Sequence, residues 1–387
     1  MNSFRKSVQF ANGAEFKDTD HMINDELDLH GYFCVNPFRH FEINQIGDVN
    51  VCCPSYLPYR IGNILEQSIE EVWNGPKAIA VRESILDGTY RYCHKKLCPF
   101  IQQGLTKSKE YIFKDELLNS NGEKALLYND SIMELPQHIV LSHETSCNLW
   151  CPSCRTEKIL YTKGPVYDKA KIINDKIIDA FLTKPTDRHF AINPLGDGDP
   201  FASKLTRNML YNIEGNKFPN LKIFLGTNGL MFTEKAWNKM HKIHHNLSRC
   251  DISIDASTKE TYEQKTRLGG NWELLLKNLD FLNSMSANHR NFIVAYRYVV
   301  QTVNYKEMSM FAKLILARYS NVHQIFFTLV NDWGTWNKEE YESRCMWKTT
   351  HPEYEQFLDV LKDPIFDNPK IFLGNISKYR NEAQRHI

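Results

Sequence analysis

From residue 136 onward the sequence alternates repeatedly between strand-like and helix-like texture, and this alternation constrains the fold more than any other feature. "HIVLSH", "HFAINPLG", "LKIFLGTNG", "CDISIDAS", "NFIVAYRYVVQ" and "QIFFTLV" are short runs rich in branched and aromatic residues, the composition of strands. Between them, "KAKIINDKIIDAFL", "TEKAWNKMHKIH", "NWELLLKNLDFLNSM" and "YKEMSMFAKLILARY" place apolar residues three and four apart, the repeat of an amphipathic helix. Repeated βα units predict an α/β fold with a parallel sheet, either barrel-like or doubly wound. Both arrangements keep their chemistry at the carboxyl ends of the strands.

The chain before that point has a different texture. Residues 1–30 read as a loose polar arm, and 31–106 as a turn-rich, cysteine-containing domain. A charged linker follows over 107–135. The α/β core covers 136–345, and 346–387 reads as a helical tail without a motif. Within the cysteine-containing domain, "SIEEVWNGPKAIAVRESIL" predicts two short helices. Ser68 is the N-cap of the first, Glu71 completes a capping box, and Pro76 interrupts the run.

The first residues, "MNSFRKSVQFANGAEFK", lack the apolar stretch of a secretion signal, and no segment has the apolar length of a membrane span. The expectation is therefore a cytoplasmic protein without a membrane partner, in a compartment that keeps thiols reduced. Eight of the ten cysteines fall into two groups, which favours metal binding over disulfides. Lys and Arg number 47 against 46 Asp and Glu, so the chain carries no electrostatic footprint for nucleic acid. The basic stretch "YRYCHKKLC" is short and reads as a solvated face near a metal site.

"CNLWCPSC" follows the first core strand and places Cys147, Cys151 and Cys154 within eight residues. Three thiolates can hold three irons of a [4Fe–4S] cube and leave the fourth iron open. The competing metal is zinc, with a distant fourth ligand such as His143. The C-x3-C-x2-C spacing in this position resembles the radical S-adenosylmethionine (SAM) superfamily. Later strand ends match that superfamily in order. "GDGDPFAS" resembles its G-E-P element, with Asp199 between Gly198 and Pro200 in place of the usual Glu. "TNG" carries Asn228, "SIDAS" carries Ser253 and Asp255, and Arg267 lies in "TYEQKTRLGGNW".

The resemblance implies a partial (β/α)6 TIM-like barrel preceded by a small irregular iron–sulfur domain. It implies that SAM chelates the open iron, with Gly198, Asp199, Pro200, Asn228, Ser253, Asp255 and Arg267 as contacts. Reductive cleavage would then yield a 5′-deoxyadenosyl radical that abstracts hydrogen from a substrate. Many relatives carry an aromatic residue directly before the third cysteine. This chain has Ser153 there, and Trp150 is not assumed to replace it.

The second cysteine group comprises Cys34, Gly47 and Cys52 as C-x12-G-x4-C, and Cys93 with Cys98 as C-x4-C. Together with the intervening Gly-Asn-Ile and Glu-Val-Trp elements, it resembles the SPASM and twitch auxiliary-cluster domains, here placed before the core. The resemblance implies one auxiliary [4Fe–4S] cluster on Cys34, Cys52, Cys93 and Cys98, with Cys53 an alternative to Cys52. A four-cysteine zinc knuckle is the competing reading. Cys250 reads as an inert thiol, as does Cys345, the latter also a remote candidate for a hydrogen donor.

The expected cofactors are thus two [4Fe–4S] clusters and SAM, with electrons from a flavodoxin- or ferredoxin-like donor. The expected substrate is a peptide or protein that is oxidised, cross-linked or epimerised. The alternatives are dehydrogenation of a sugar or aminocyclitol alcohol, and a non-catalytic two-cluster redox protein. No general acid or base emerges from the sequence. Arg297, Tyr298 and Asp332 all qualify by strand position alone.

Overall fold

The computed structural model describes residues 29–102, 107–108, 133–194, 196–289 and 291–385. Almost all of the polar arm expected over 1–30, and most of the linker expected over 107–135, lie outside the described residues. The described chain divides into two compact units, one of residues 29–144 and 163–196, the other of 145–162 and 197–385. Both are mixed α/β. Among the described residues no helix is long and apolar enough to cross a membrane.

The first unit contains strands β1 (Tyr32–Phe33), β2 (His40–Asn44), β3 (Asp48–Asn50), β4 (Gly62–Asn63), β5 (Lys107–Ser108), β6 (His138–Ser142) and β7 (Phe190–Asn193). β6 pairs in parallel with β7 on one side and with β2 on the other, and β2, β3 and β4 continue as an antiparallel meander. β1 pairs antiparallel with β5. The cysteine-containing segment is thus less irregular than its sequence suggests. Phe41 and Ile43 of β2 are fully buried, as are Ile139 and Leu141 of β6, which is the alternation of a sheet with one face in the core.

Local signals account for the helices of this unit. Ser68 Oγ accepts from the Glu71 amide (3.1 Å), and Glu71 Oε2 accepts from the Ser68 amide (2.7 Å), closing the capping box of the helix Ile69–Trp73. Pro76 opens the next helix, Pro76–Leu86, because a first-turn amide has no intrahelical partner to lose. From that helix, buried Arg82 stacks over the Trp73 ring at 4.2 Å and donates to the carbonyls of Trp73 and Pro37, each at 2.9 Å. One guanidinium therefore ties the Glu-Val-Trp element to the chain beside Cys34.

Gly47 closes the β2–β3 hairpin with a left-handed φ of 84°. A side chain there would meet Asn63 Oδ1 at 2.7 Å and the Leu65 side chain at 2.8 Å. Asn63 is itself committed, donating to Ile46 O and Asp48 Oδ1 and accepting from the Leu65 amide. Gly47→Ala is expected to lower stability by roughly 1–2 kcal/mol from the backbone alone, with the collision in addition. A melting temperature equal to that of the parent chain would contradict this.

The second unit contains β8 (Leu221–Thr227), β9 (Leu247–Ser253), β10 (Ile293–Val300), β11 (Val322–Leu329) and β12 (Ile371–Phe372), all parallel in that order. Helices precede and connect them and cap through short polar side chains. Ser203 accepts from Thr206 N at the start of Lys204–Asn212, Thr233 from Ala236 N at Glu234–Lys239, and Asn271 from Leu274 N at Trp272–Asn288. One face of β10 packs on the helix Met308–Arg318, with the Tyr298 ring 4.8 Å from Phe311. Arg297 points to the other face, as strand alternation requires. β12 was not apparent in the sequence, because a two-residue strand has no periodicity to read.

Candidate functional site

The loop 145–162 is a closed structure built on its own backbone. The Cys147 amide donates to Ile159 O (2.8 Å), and the amides of Cys154 and Arg155 both donate to Cys151 O (2.9 and 3.0 Å). Trp150 donates its amide to Leu268 O at 3.1 Å, which fastens the loop to the segment carrying Arg267. Cys147 and Cys151 are buried and Cys154 is half-buried.

Each of the three sulfurs faces an N–H donor. Cys147 Sγ accepts from the Leu149 amide (3.4 Å) and from Asn228 Nδ2 (3.7 Å). Cys151 Sγ accepts from Arg267 Nη1 (3.5 Å), and Cys154 Sγ from Arg155 Nη2 (3.6 Å). These lengths suit the large radius of sulfur, and two of the donors carry positive charge. Burial raises the Cys147 thiol to about 12, with the Asp199 carboxylate adding to the rise. Burial also raises Cys151, while Arg267 opposes it. Buried thiols met by cations and amides would suit a metal, because metal binding supplies the charge that releases their protons.

The elements at the strand ends converge on these sulfurs. Asp255 adopts a left-handed φ of 61° just beyond β9. Its Oδ2 meets Arg267 Nη2 at 2.6 Å, and its Oδ1 accepts from the Val299 amide at 2.7 Å. Burial works against the Arg267 charge, but Asp255 and then Cys151 more than offset it, so the guanidinium stays protonated. Arg267 follows a π-helical turn, Tyr262–Thr266, a distortion frequent at functional sites. Glu307 braces the turn after Asp255, accepting from the Ser257 amide (2.7 Å) and from the Thr258 hydroxyl (2.9 Å).

Asp199 is fully committed to the protein itself. Its Oδ2 accepts from Thr227 Oγ1 (2.7 Å) and the Asn228 amide (2.9 Å), and its Oδ1 from the Phe201 amide (3.0 Å). It is 1 % exposed, so it acts as a clasp between the Gly-Asp-Pro turn and the Thr-Asn-Gly turn, with Gly198 and Pro200 flanking it. Asn228, placed by that clasp, reaches Cys147 and Asn148 Oδ1 (2.9 Å). Ser253 ends β9 in register with Arg297. Arg155 was missed in the sequence, although its position directly after Cys154 was the available signal. It is anchored by Thr145 O and Asp197 O, each at 2.7 Å.

His143, a candidate zinc ligand from the sequence, is fully buried, and among the described residues neither ring nitrogen has a hydrogen-bond partner. Burial lowers its pKa to about 4. Because the folded value lies below the unfolded one, this residue's stability contribution is complete above about pH 6.5 and is lost as pH falls toward 4. The loss amounts to about 3 kcal/mol at the acid end. His143→Leu is expected to flatten that dependence and to add roughly 1 kcal/mol at neutral pH by removing unbonded nitrogens. Urea denaturation of both chains at pH 7 and pH 5 measures this, and equal acid sensitivity would refute it.

In the first unit, Cys34, Cys52, Cys93 and Cys98 line one cavity together with Tyr56 and Tyr90, and Cys53 is not among the lining residues. Its rim is tied by the His94 amide to Tyr56 O (2.6 Å), and Asn36 Nδ2 donates to Cys52 Sγ (3.6 Å). Burial raises Cys34 to about 11 and pushes Cys52 and Cys93 up as well, with neighbouring thiols adding to the rise in all three. Among the described residues no basic side chain lines the cavity itself, and Arg39 and Lys95 act from outside it, opposing the rise in Cys34 and Cys93. Four clustered thiols fit a cationic metal group. Among the described residues no three His, Cys, Asp or Glu side chains converge tightly enough to hold a single metal ion. A cube instead distributes its cysteines over separate irons.

Residues 34–99 match the SPASM family, an iron–sulfur cluster-binding domain. The matched segment contains all four cysteines of this cavity, and the match supports an iron–sulfur cofactor in the chain. No curated protein shows significant similarity to the chain.

Proposed function

We propose that the chain is a radical SAM enzyme, with one [4Fe–4S] cluster on Cys147, Cys151 and Cys154 and an auxiliary one on Cys34, Cys52, Cys93 and Cys98. The strands around the three-cysteine loop would then be those of a partial (β/α)6 barrel. One observation carries this reading. Asn228, from the turn after β8, and Arg267, from the connection after β9, donate to Cys147 and Cys151, and Asp255 of that same connection holds Arg267 by an ion pair. The iron–sulfur domain match over residues 34–99 supports it independently.

When bound, the cluster on the three-cysteine loop would supply the electron that cleaves SAM to a 5′-deoxyadenosyl radical, which abstracts hydrogen from the substrate. The chain's own residues position and insulate. Arg155 and Arg267 hold positive charge against two thiolates, Asn228 orients Cys147, and Asp199 and Glu307 clamp the turns that present these groups. Ser253 lies at the strand end where a ribose contact is expected. The substrate is a peptide or protein, the electron donor is flavodoxin- or ferredoxin-like, and the protein acts in the cytoplasm.

Anaerobic reconstitution with iron and sulfide, followed by dithionite and SAM, tests the proposal. Methionine and 5′-deoxyadenosine should accumulate together. Their absence with both clusters intact would leave a redox protein instead, and zinc in place of iron would remove the reading altogether.

A further inference from the structure

Two arginines and a carboxylate form a built site on the face of β8 to β11 that points away from the helix Met308–Arg318. Asp251 lies between Arg249 and Arg297. Its Oδ1 accepts from Arg249 Nε at 2.6 Å, and its Oδ2 from Arg297 Nε at 2.8 Å and from Arg297 Nη2. Both guanidinium groups lie over the Phe326 ring, at 5.3 and 5.1 Å. The site therefore holds two positive charges, one negative charge and an aromatic floor.

Three features make this arrangement more than a structural ion pair. First, a guanidinium carries five N–H groups, and Asp251 engages one from Arg249 and two from Arg297. The others have no partner among the described residues, and the Arg297 side chain is 45 % exposed. Second, open space lies above the site. Gly226, mid-strand in β8 and in register with Asp251, is exposed, and a side chain built on it would meet nothing within 4 Å. Third, Arg297 is in register with Ser253, the last residue of β9, on one side and with Phe326 on the other, and Asp251 lies one row below, so the site is at the carboxyl end of β9.

We propose that this hollow seats a carboxylate of the ligand, gripped by the uncommitted N–H groups of Arg297 and Arg249. Guanidinium forks match the planar carboxylate, and stacking on Phe326 together with the Asp251 bonds pre-orients them. One carboxylate neutralises the net charge of one positive, whereas a dianionic phosphate would leave the filled site with a net negative charge beside Asp251. Naming the ligand as the substrate rests on the proposed function, since only then does the end of β9 become the reacting end. The seat itself does not rest on it. An acidic side chain or a free carboxyl terminus of a peptide is the matching group.

Saturation-transfer NMR on the full chain without SAM or reductant tests the seat separately from SAM cleavage. The probes are a capped alanine-rich pentapeptide with a central glutamate and its glutamine and phosphoserine counterparts. The glutamate peptide is expected to bind the parent chain about tenfold more tightly than the glutamine peptide, the size of one charge-assisted hydrogen bond. Arg297→Met and Arg249→Met should each erase that preference, and Arg297→Lys should retain part of it. Arg297 is half-exposed, so its variant should keep the parent melting temperature, and Arg249→Met serves as the second variant. Equal binding of the glutamate and glutamine peptides, a preference unchanged in both Met variants, or tighter binding of the phosphoserine peptide would each overturn the proposal.

Discussion

Arg267→Met is expected to destabilise the chain by about 3–5 kcal/mol, the cost of leaving one member of a buried ion pair alone. The Arg267 side chain is 12 % exposed and its partner Asp255 is 2 % exposed, so solvent cannot replace the lost charge. Asp255 also holds the Val299 amide from a left-handed backbone, so its carboxylate cannot turn toward water without breaking that bond. The same substitution removes the donor to Cys151 Sγ. In reconstituted protein, loss of a cationic N–H donor beside a cluster thiolate should move that cluster to a more negative potential. Arg267→Lys restores the charge without the fork, and is expected to recover part of the potential and less of the stability. Denaturation curves and an EPR-monitored redox titration measure the two effects. Parent-like values of both would show that Arg267 does not couple Asp255 to Cys151.

Cys151→Ala is expected to eliminate SAM cleavage, whereas Cys93→Ala should leave cleavage in place and lose product. Cys151, in the three-cysteine loop, has Arg267 as its cationic donor, while Cys93 lines the cavity of the segment matched as an iron–sulfur domain. Each variant should retain about four of the roughly eight irons that two cubes contain. Iron content, with 5′-deoxyadenosine and product analysed side by side, separates the two roles. If both variants lost cleavage equally, the proposed division between the two thiol groups would fail.

Much of the scaffold was legible in the sequence because its determinants are local. The capping box of Ser68 and Glu71, the break at Pro76 and the strand around Tyr298 each depend on residues within a few positions of one another. The first unit was less legible. β2 aligns with β6 although His40 and His138 are 98 residues apart, and five residues of alternation do not name their partner. Asp199 illustrates the limit at the site. The resemblance of its Gly-Asp-Pro turn implied a ligand contact, and only the tertiary structure shows that its oxygens accept from Thr227, Asn228 and Phe201.

The sequence by itself determined the alternating α/β order, the spacing of the two thiol groups, and the turns and caps between elements. These follow from backbone geometry and side-chain chemistry over a few residues. Tertiary structure alone decided which donor meets each sulfur, which of Cys52 and Cys53 lines the cavity, and that Arg249 and Arg297 share one carboxylate. Asn228 and Arg267 stand 81 and 116 residues from the cysteines they reach. At such separations the pairing is set by how strands and helices pack, and no periodicity in the chain encodes it.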